Sequence, residues 1–321
     1  MIVAAESQSS KSVKEQVGDF IIGHVSNTTS GHHIIDKSGS PLLQYIYSNY
    51  GIDFSISKHV FMLWLVAFIL GLVIIIPVRS YLKKDKHIPS GWTNAIEATV
   101  QFIRDSIVKP NVGEKWVMTW CPIILTFFFF ILFANGIGMI PIFDTLGALN
   151  RFVFEPIFGA PYSEDNFINH LLHGGATATG NFNVTGALAT ITFFSIMIAG
   201  ILAHGFTKHW KNLVPHGLPW PVYIILVPIE IMGLFVKPFA LTMRLAANMT
   251  GGHIALLALL SLMAIFGDMF HSTAAGIGVS FISVPMAAAI AGLEIIVVLV
   301  QAYVFTLLTA VFIGMAIHVH H

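Results

Sequence analysis

Two apolar runs in this chain are too long to be single upright membrane spans, and both carry ionisable residues in their middle. Residues 221–266 make 46 positions and residues 274–316 make 43, about 69 Å and 64 Å of continuous α-helix, against a hydrocarbon thickness of roughly 30 Å. Dividing either run into two upright spans requires a polar turn at its centre, and neither Gly251-Gly252 nor Val284-Pro285 is flanked by loop-like sequence. The expectation is a hairpin of two long, strongly tilted and locally broken helices that turns near residues 268–273.

The first run carries Glu230, Lys237, Arg244, Asn248 and His253. An ionisable residue in a bilayer costs roughly 3 kcal/mol on insertion scales, so each is a candidate for function. Arg244 cannot shed its proton, and the nearest carboxylate in the same run, Glu230, lies fourteen positions away, about 21 Å along a helix. Its counter-charge must come from another segment or another chain. Glu230, Lys237 and Arg244 are spaced seven and seven, which brings successive members within about 20° of one another on a helix, and Asn248 continues the stripe. Ala240, Ala246, Ala247, Gly251 and Gly252 around it are small and let a neighbouring helix approach closely. Packing of the chain's own helices also accounts for the small residues, but it leaves Arg244 unexplained.

His253 follows Arg244 by nine positions, about 180° around an ideal helix, and so points off the stripe. In the second run Glu294 and Gln301 are seven apart and share a face. A hairpin turning at 268–273 sets His253 and Glu294 at similar depth, where such a pair can pass a proton or line a wet cavity. A purely structural histidine is the competing reading.

The remaining sequence places these runs in a polytopic membrane protein. Of 321 residues, 55% are apolar and 10% charged, with a mean hydropathy of +0.79, which excludes an ordinary soluble domain. Residues 1–58 are mixed and read as an extramembrane arm, with apolar patches at 20–22 and 42–47 as short interfacial helices and a plain disordered tail as the alternative. Spans are expected at 59–78, ended by Pro77, at 116–140 and at 184–206. Between the first two, Ile96, Val100, Ile103 and Ile107 recur at helical spacing opposite Glu97, Gln101, Arg104 and Asp105, an amphipathic helix lying on the surface. Five membrane helices and one surface helix follow, all-α, with residues 59–321 as one membrane domain. Lys and Arg of the short loops fall on one side, inside by the positive-inside rule, which leaves the N-terminus and the loop 141–183 outside.

A formal net charge of zero predicts no nucleic-acid partner, and the lone Cys121 excludes an internal disulfide framework. The fifteen histidines lack the carboxylate-supported spacing of a zinc motif, so neither metal nor cofactor is expected. From the residues alone, an ion-conducting protein, a secondary transporter or ion channel with an intramembrane Arg/Glu/His relay, and a histidine-dependent intramembrane enzyme all remain open.

The stretch Lys237-Pro238-Phe239-Ala240-Leu241-Thr242-Met243-Arg244-Leu245-Ala246-Ala247-Asn248-Met249-Thr250-Gly251-Gly252-His253 resembles the signature of subunit a of F-type ATP synthases. Glu97 with Phe102 to Asp105, Asn135 to Pro141, Asn181 to Thr185, and Gln301 are similar to further stretches of that family. The resemblance implies a non-catalytic proton-translocating stator subunit with two offset half-channels beside a ring of c subunits. Arg244 would face the ring's essential carboxylate, His253 and Glu294 would line the outer-side path, Glu230 the inner-side path, and Asn248 and Gln301 would position water or Arg244. Ala240, Ala247 and Gly251 would face the ring. Partners implied are the c-ring, the peripheral stalk subunit b, other ATP synthase subunits and lipid. The location implied is a bacterial plasma membrane, with the mitochondrial inner membrane as the alternative suggested by the His253/Glu294 order.

Overall fold

A backbone inside hydrocarbon must satisfy its own polar groups, and the long Leu-, Ile-, Val- and Phe-rich runs of this chain do so as helices. The computed structural model describes residues 13–25, 33–35, 45, 48–49, 56–83, 91–139, 177–211 and 219–318. In chain order these form α1 (Val13–Val25), a small antiparallel pair β1 (His33–Ile35) and β2 (Ile56–Ser57), α2 (Lys58–Leu70), α3 (Ile76–Lys83), α4 (Trp92–Phe102), α5 (Lys109–Val112), α6 (Glu114–Met139), α7 (Phe182–His204), α8 (Phe206–Lys211), α9 (Trp220–Met269) and α10 (Thr273–Ile317). Five stretches among the described residues are long and apolar enough to cross a membrane: His59–Lys83, α6, α7, α9 and α10. The expected interfacial segment at 42–47, Tyr45 apart, and the loop stretch 140–176 lie outside the described residues.

Three local expectations change. Pro77 does not end the first span, which continues in helix to Lys83 after a π-helical turn at Gly71–Ile75. A proline at 77 cannot donate to the carbonyl of Val73, and the indole Nε1 of Trp92 donates to that oxygen at 3.1 Å instead. The third span stops at His204, two residues early, because Gly205 adopts φ +83° and turns the chain into α8. The long runs are not broken: α9 is one helix of 50 residues through Pro228 and Pro238, and α10 one of 45 residues through Pro285.

The chain divides into two compact units. One draws on residues 65–134, 182–246 and 298–321 and holds the described apolar cores. Ile103, Ile107, Ile124 and Ile313 centre the first core, and Phe127, Ile131, Leu241, Leu245 and Phe305 the second. Apolar contact in a bilayer gains no hydrophobic free energy over lipid, so close packing around small residues has to hold these helices together. Ala199, Ala302 and Ala310 are fully buried, and a Cβ on Gly314 would sit 2.2 Å from the Asn111 carbonyl oxygen. The amphipathic pattern of 92–108 appears here as α4 and a π-helical turn, with Ile96, Ile103 and Ile107 inward and Gln101, Arg104 and Asp105 exposed.

The other unit draws on residues 1–64, 135–181 and 247–297. It contains the hairpin between α9 and α10, closed at residues 270–272 by His271 in the left-handed region (φ 46°). Ser272 N–H donates to the Gly267 carbonyl at 3.0 Å. Gly267 and Gly276 let the two arms meet there, since a Cβ on Gly276 would lie 2.8 Å from the Met263 carbonyl oxygen and 3.5 Å from the Gly267 Cα.

Candidate functional site

The register of the hairpin brings His253 of α9 against Glu294 of α10, with Nδ1 3.4 Å from Oε1 and side-chain exposures of 22% and 12%. Two groups that can each hold a proton thus share one mostly enclosed position, and a proton on either is available to the other. Gly252 makes this possible. A Cβ at that position would stand 2.0 Å from Glu294 Oε1 and 2.9 Å from its Cδ, so the carboxyl occupies the space that any other residue would fill. The sequence marks Gly252 as one of the small residues about Arg244 and does not tie it to Glu294.

On α9, Ala240, Arg244, Ala247, Asn248 and Gly251 are exposed, while Leu241, Leu245 and Met249 are buried. Ala240, Ala247 and Gly251 flank Arg244 on the outward face, so a partner helix can reach its guanidinium, whereas Ala246 is buried and Gly252 half-buried. Among the described residues Arg244 has neither a hydrogen bond nor an ion pair, and none joins it to Glu230, Asn248 or Gln301. Glu230 and Lys237 are half-buried, and Gln301 is buried on α10 at 5% exposure. Lys237 departs from the stripe that its spacing predicts. Its Nζ lies 5.6 Å from the centre of the Phe312 ring of α10.

A second polar group escaped the sequence reading as a site. Asn135 and Thr179, both fully buried, are joined by a hydrogen bond from the Thr179 hydroxyl to Asn135 Oδ1, and Thr250 Oγ1 donates to the neighbouring Gly180 carbonyl at 3.3 Å. Gly138 completes the approach, because a Cβ there would lie 2.1 Å from Thr177 Cγ2. The signal in the sequence is the run of Gly and Asn at 135–138 together with the hydroxyls at 177 and 179.

Three histidines fasten the core-bearing unit where its helices end. His204 Nε2 sits 2.9 Å from the Ile317 carbonyl oxygen, and His318 Nε2 lies 3.1 Å from that of Val112. His209 folds back over Gly200, where a Cβ would collide with its ring at 2.1 Å. Burial, assisted by His204, holds the His209 imidazole below its ordinary range. On the exposed face after α4, the hydrogen bond from Arg104 (2.8 Å) keeps the Asp105 carboxyl below the usual carboxylate range. Among the described residues no cluster of three or more His, Cys, Asp or Glu could hold a metal ion.

Comparison with known proteins identifies the family. The family described as ATP synthase A chain matches residues 60–314. ATP synthase subunit a 2 of Chlorobium luteolum is 39% identical over 303 residues, covering 94% of this chain and 76% of that protein. ATP synthase subunit a of Myxococcus xanthus is 40% identical over 271 residues, 84% of this chain and 75% of its own length. ATP synthase subunit a 2 of Chlorobaculum tepidum is 37% identical over 315 residues, covering 98% and 76%. With the family match running from the first membrane helix almost to the C-terminus and the Arg244 stripe inside it, the chain belongs to the ATP synthase A chain family.

Proposed function

We propose that this chain is the proton-translocating stator subunit of a rotary ATP synthase, and that Arg244 is the fixed charge past which each ionisable carboxylate of the c-ring moves. The observation that carries the reading is Arg244 itself, exposed on a face of small residues with no acidic partner among the described residues. A permanent cation beside a carboxyl stabilises its ionised form, so a ring carboxyl arriving protonated gives up its proton before it reaches Arg244. The guanidinium also repels a proton attempting to pass straight through. Ala240, Ala247 and Gly251 are the contact surface for the ring helices.

In this reading His253 and Glu294 form the proton relay of the outer half-channel, Glu230 serves the inner one, and Asn248 and Gln301 orient water or the guanidinium. The two paths are offset and meet only through rotation of the ring. The subunit is non-catalytic by itself. It assembles with the c-ring, the peripheral stalk subunit b and lipid in a bacterial plasma membrane. Substituting Arg244→Ala in the assembled complex is expected to abolish proton-driven ATP synthesis and ATP-driven pumping while the detached head still hydrolyses ATP. Coupled synthesis at the normal rate in that variant would refute the role.

A further inference from the structure

Lys237 is the second basic residue of the α9 run, seven residues from Arg244 and so on nearly the same face of the helix by spacing. Left free, a lysine there has a long flexible stem and a compact charge, and it could pair with the same carboxylate that Arg244 is placed to meet. It is not free. Its ammonium rests 5.6 Å from the centre of the Phe312 ring, inside the roughly 6 Å range of a cation–π contact. The ring is held in turn, because Phe312 packs against both apolar cores of its unit. Lys237 is accordingly half-buried where Arg244 is exposed, and among the described residues it has no carboxylate partner.

We propose that Phe312 is a positioning residue that parks the Lys237 ammonium off the partner-facing surface, so that one cation and not two meets the ring carboxylate. The inference rests on the reading of Arg244 as the fixed charge of the motor. Phe312 acts through Lys237. A competing cation two turns along the helix would trap the passing carboxylate in an ion pair and slow its release, and the aromatic face removes that competitor without neutralising it.

The test is a double-substitution cycle on the whole complex in sealed vesicles, reading ATP-driven proton pumping per assembled complex. Phe312→Leu keeps an apolar side chain but removes the π face, and pumping is expected to fall about tenfold, between the roughly fivefold of an exposed cation–π contact and the roughly 30-fold of a desolvated one. Phe312→Tyr keeps the face and is expected to keep the rate. In a Lys237→Gln background, Phe312→Leu is expected to cause no further loss, because there is no ammonium left to release. The proposal is overturned if Phe312→Leu pumps normally, if Phe312→Tyr is as damaging as Phe312→Leu, or if Phe312→Leu costs the same with and without Lys237. Arg244→Ala measured alongside separates the two readings. Survival of pumping in that variant refutes the role of Arg244, whereas its loss combined with a Lys237-independent effect at Phe312 refutes the parking role alone.

Discussion

Replacing Gly252 with alanine tests the His253–Glu294 site with the least alteration of the protein. The new methyl carbon would stand 2.0 Å from Glu294 Oε1, 2.9 Å from Cδ and 3.1 Å from Cγ. Ordinary contact at about 3.4 Å requires the carboxyl to retreat by more than an ångström. Its distance to His253 Nδ1 is already 3.4 Å, at the outer limit of a hydrogen bond, so a retreat of that size breaks the pair. What moves is the far end of a flexible side chain, and folding is expected to be nearly unaffected. The functional loss is that of one hydrogen bond, about 0.5–1.5 kcal/mol, or roughly 2- to 13-fold in the step that uses it. The assay is ATP synthesis driven by an imposed proton gradient, normalised to assembled complex, with hydrolysis by the detached head as control. Adding Glu294→Asp shortens the acid by one methylene and opens room for the methyl group, so the double variant is expected to recover part of the rate. Normal synthesis by Gly252→Ala, or a double variant slower than both single ones, would refute the steric argument.

Exchanging the two residues, His253→Glu with Glu294→His, keeps one acid and one imidazole at the same depth, and coupled synthesis is expected to fall less than in either His253→Ala or Glu294→Ala. Equal damage in all three would break the assignment of a pair. Trp92→Phe leaves the Val73 carbonyl opposite Pro77 without its donor and is expected to cost about 1 kcal/mol, seen as a lowered thermal unfolding midpoint. Pro77→Ala restores a backbone N–H at that position, so the double variant should recover the midpoint. The buried His209 ring, with its proton affinity lowered by burial, binds fewer protons folded than unfolded. Stability is therefore lost as pH falls from the ordinary histidine range through the depressed value, and is fully present above it. His209→Phe is expected to flatten that part of the profile in thermal unfolding measured from pH 7.5 to 5; an unchanged slope would show that the ring is not the responsible group.

Much of the architecture was legible because it depends on local properties of the chain. Apolar length against bilayer thickness determined five membrane helices and made two of them too long to stand upright, and the amphipathic period determined the helix at 92–108. The incompatibility of an always-charged Arg244 with hydrocarbon marked the site before any contact was known. Equal depth of His253 and Glu294 followed from counting residues to a turn. The partnerships that decide how the site works were not legible, because they depend on which side chains from distant segments arrive at one point. The Val73 carbonyl that Pro77 leaves without a backbone donor takes the indole of Trp92, nineteen positions away. Gly252 is one glycine among many until the hairpin register lays the Glu294 carboxyl over it. Helical spacing puts Lys237 and Arg244 on one stripe as equals, and only the fold shows the lysine half-buried beside the Phe312 ring and the arginine exposed. Sequence determined which charges enter the membrane, by length and solvation; tertiary structure decided which of them is presented outward, by the steric room that neighbouring helices leave around each one.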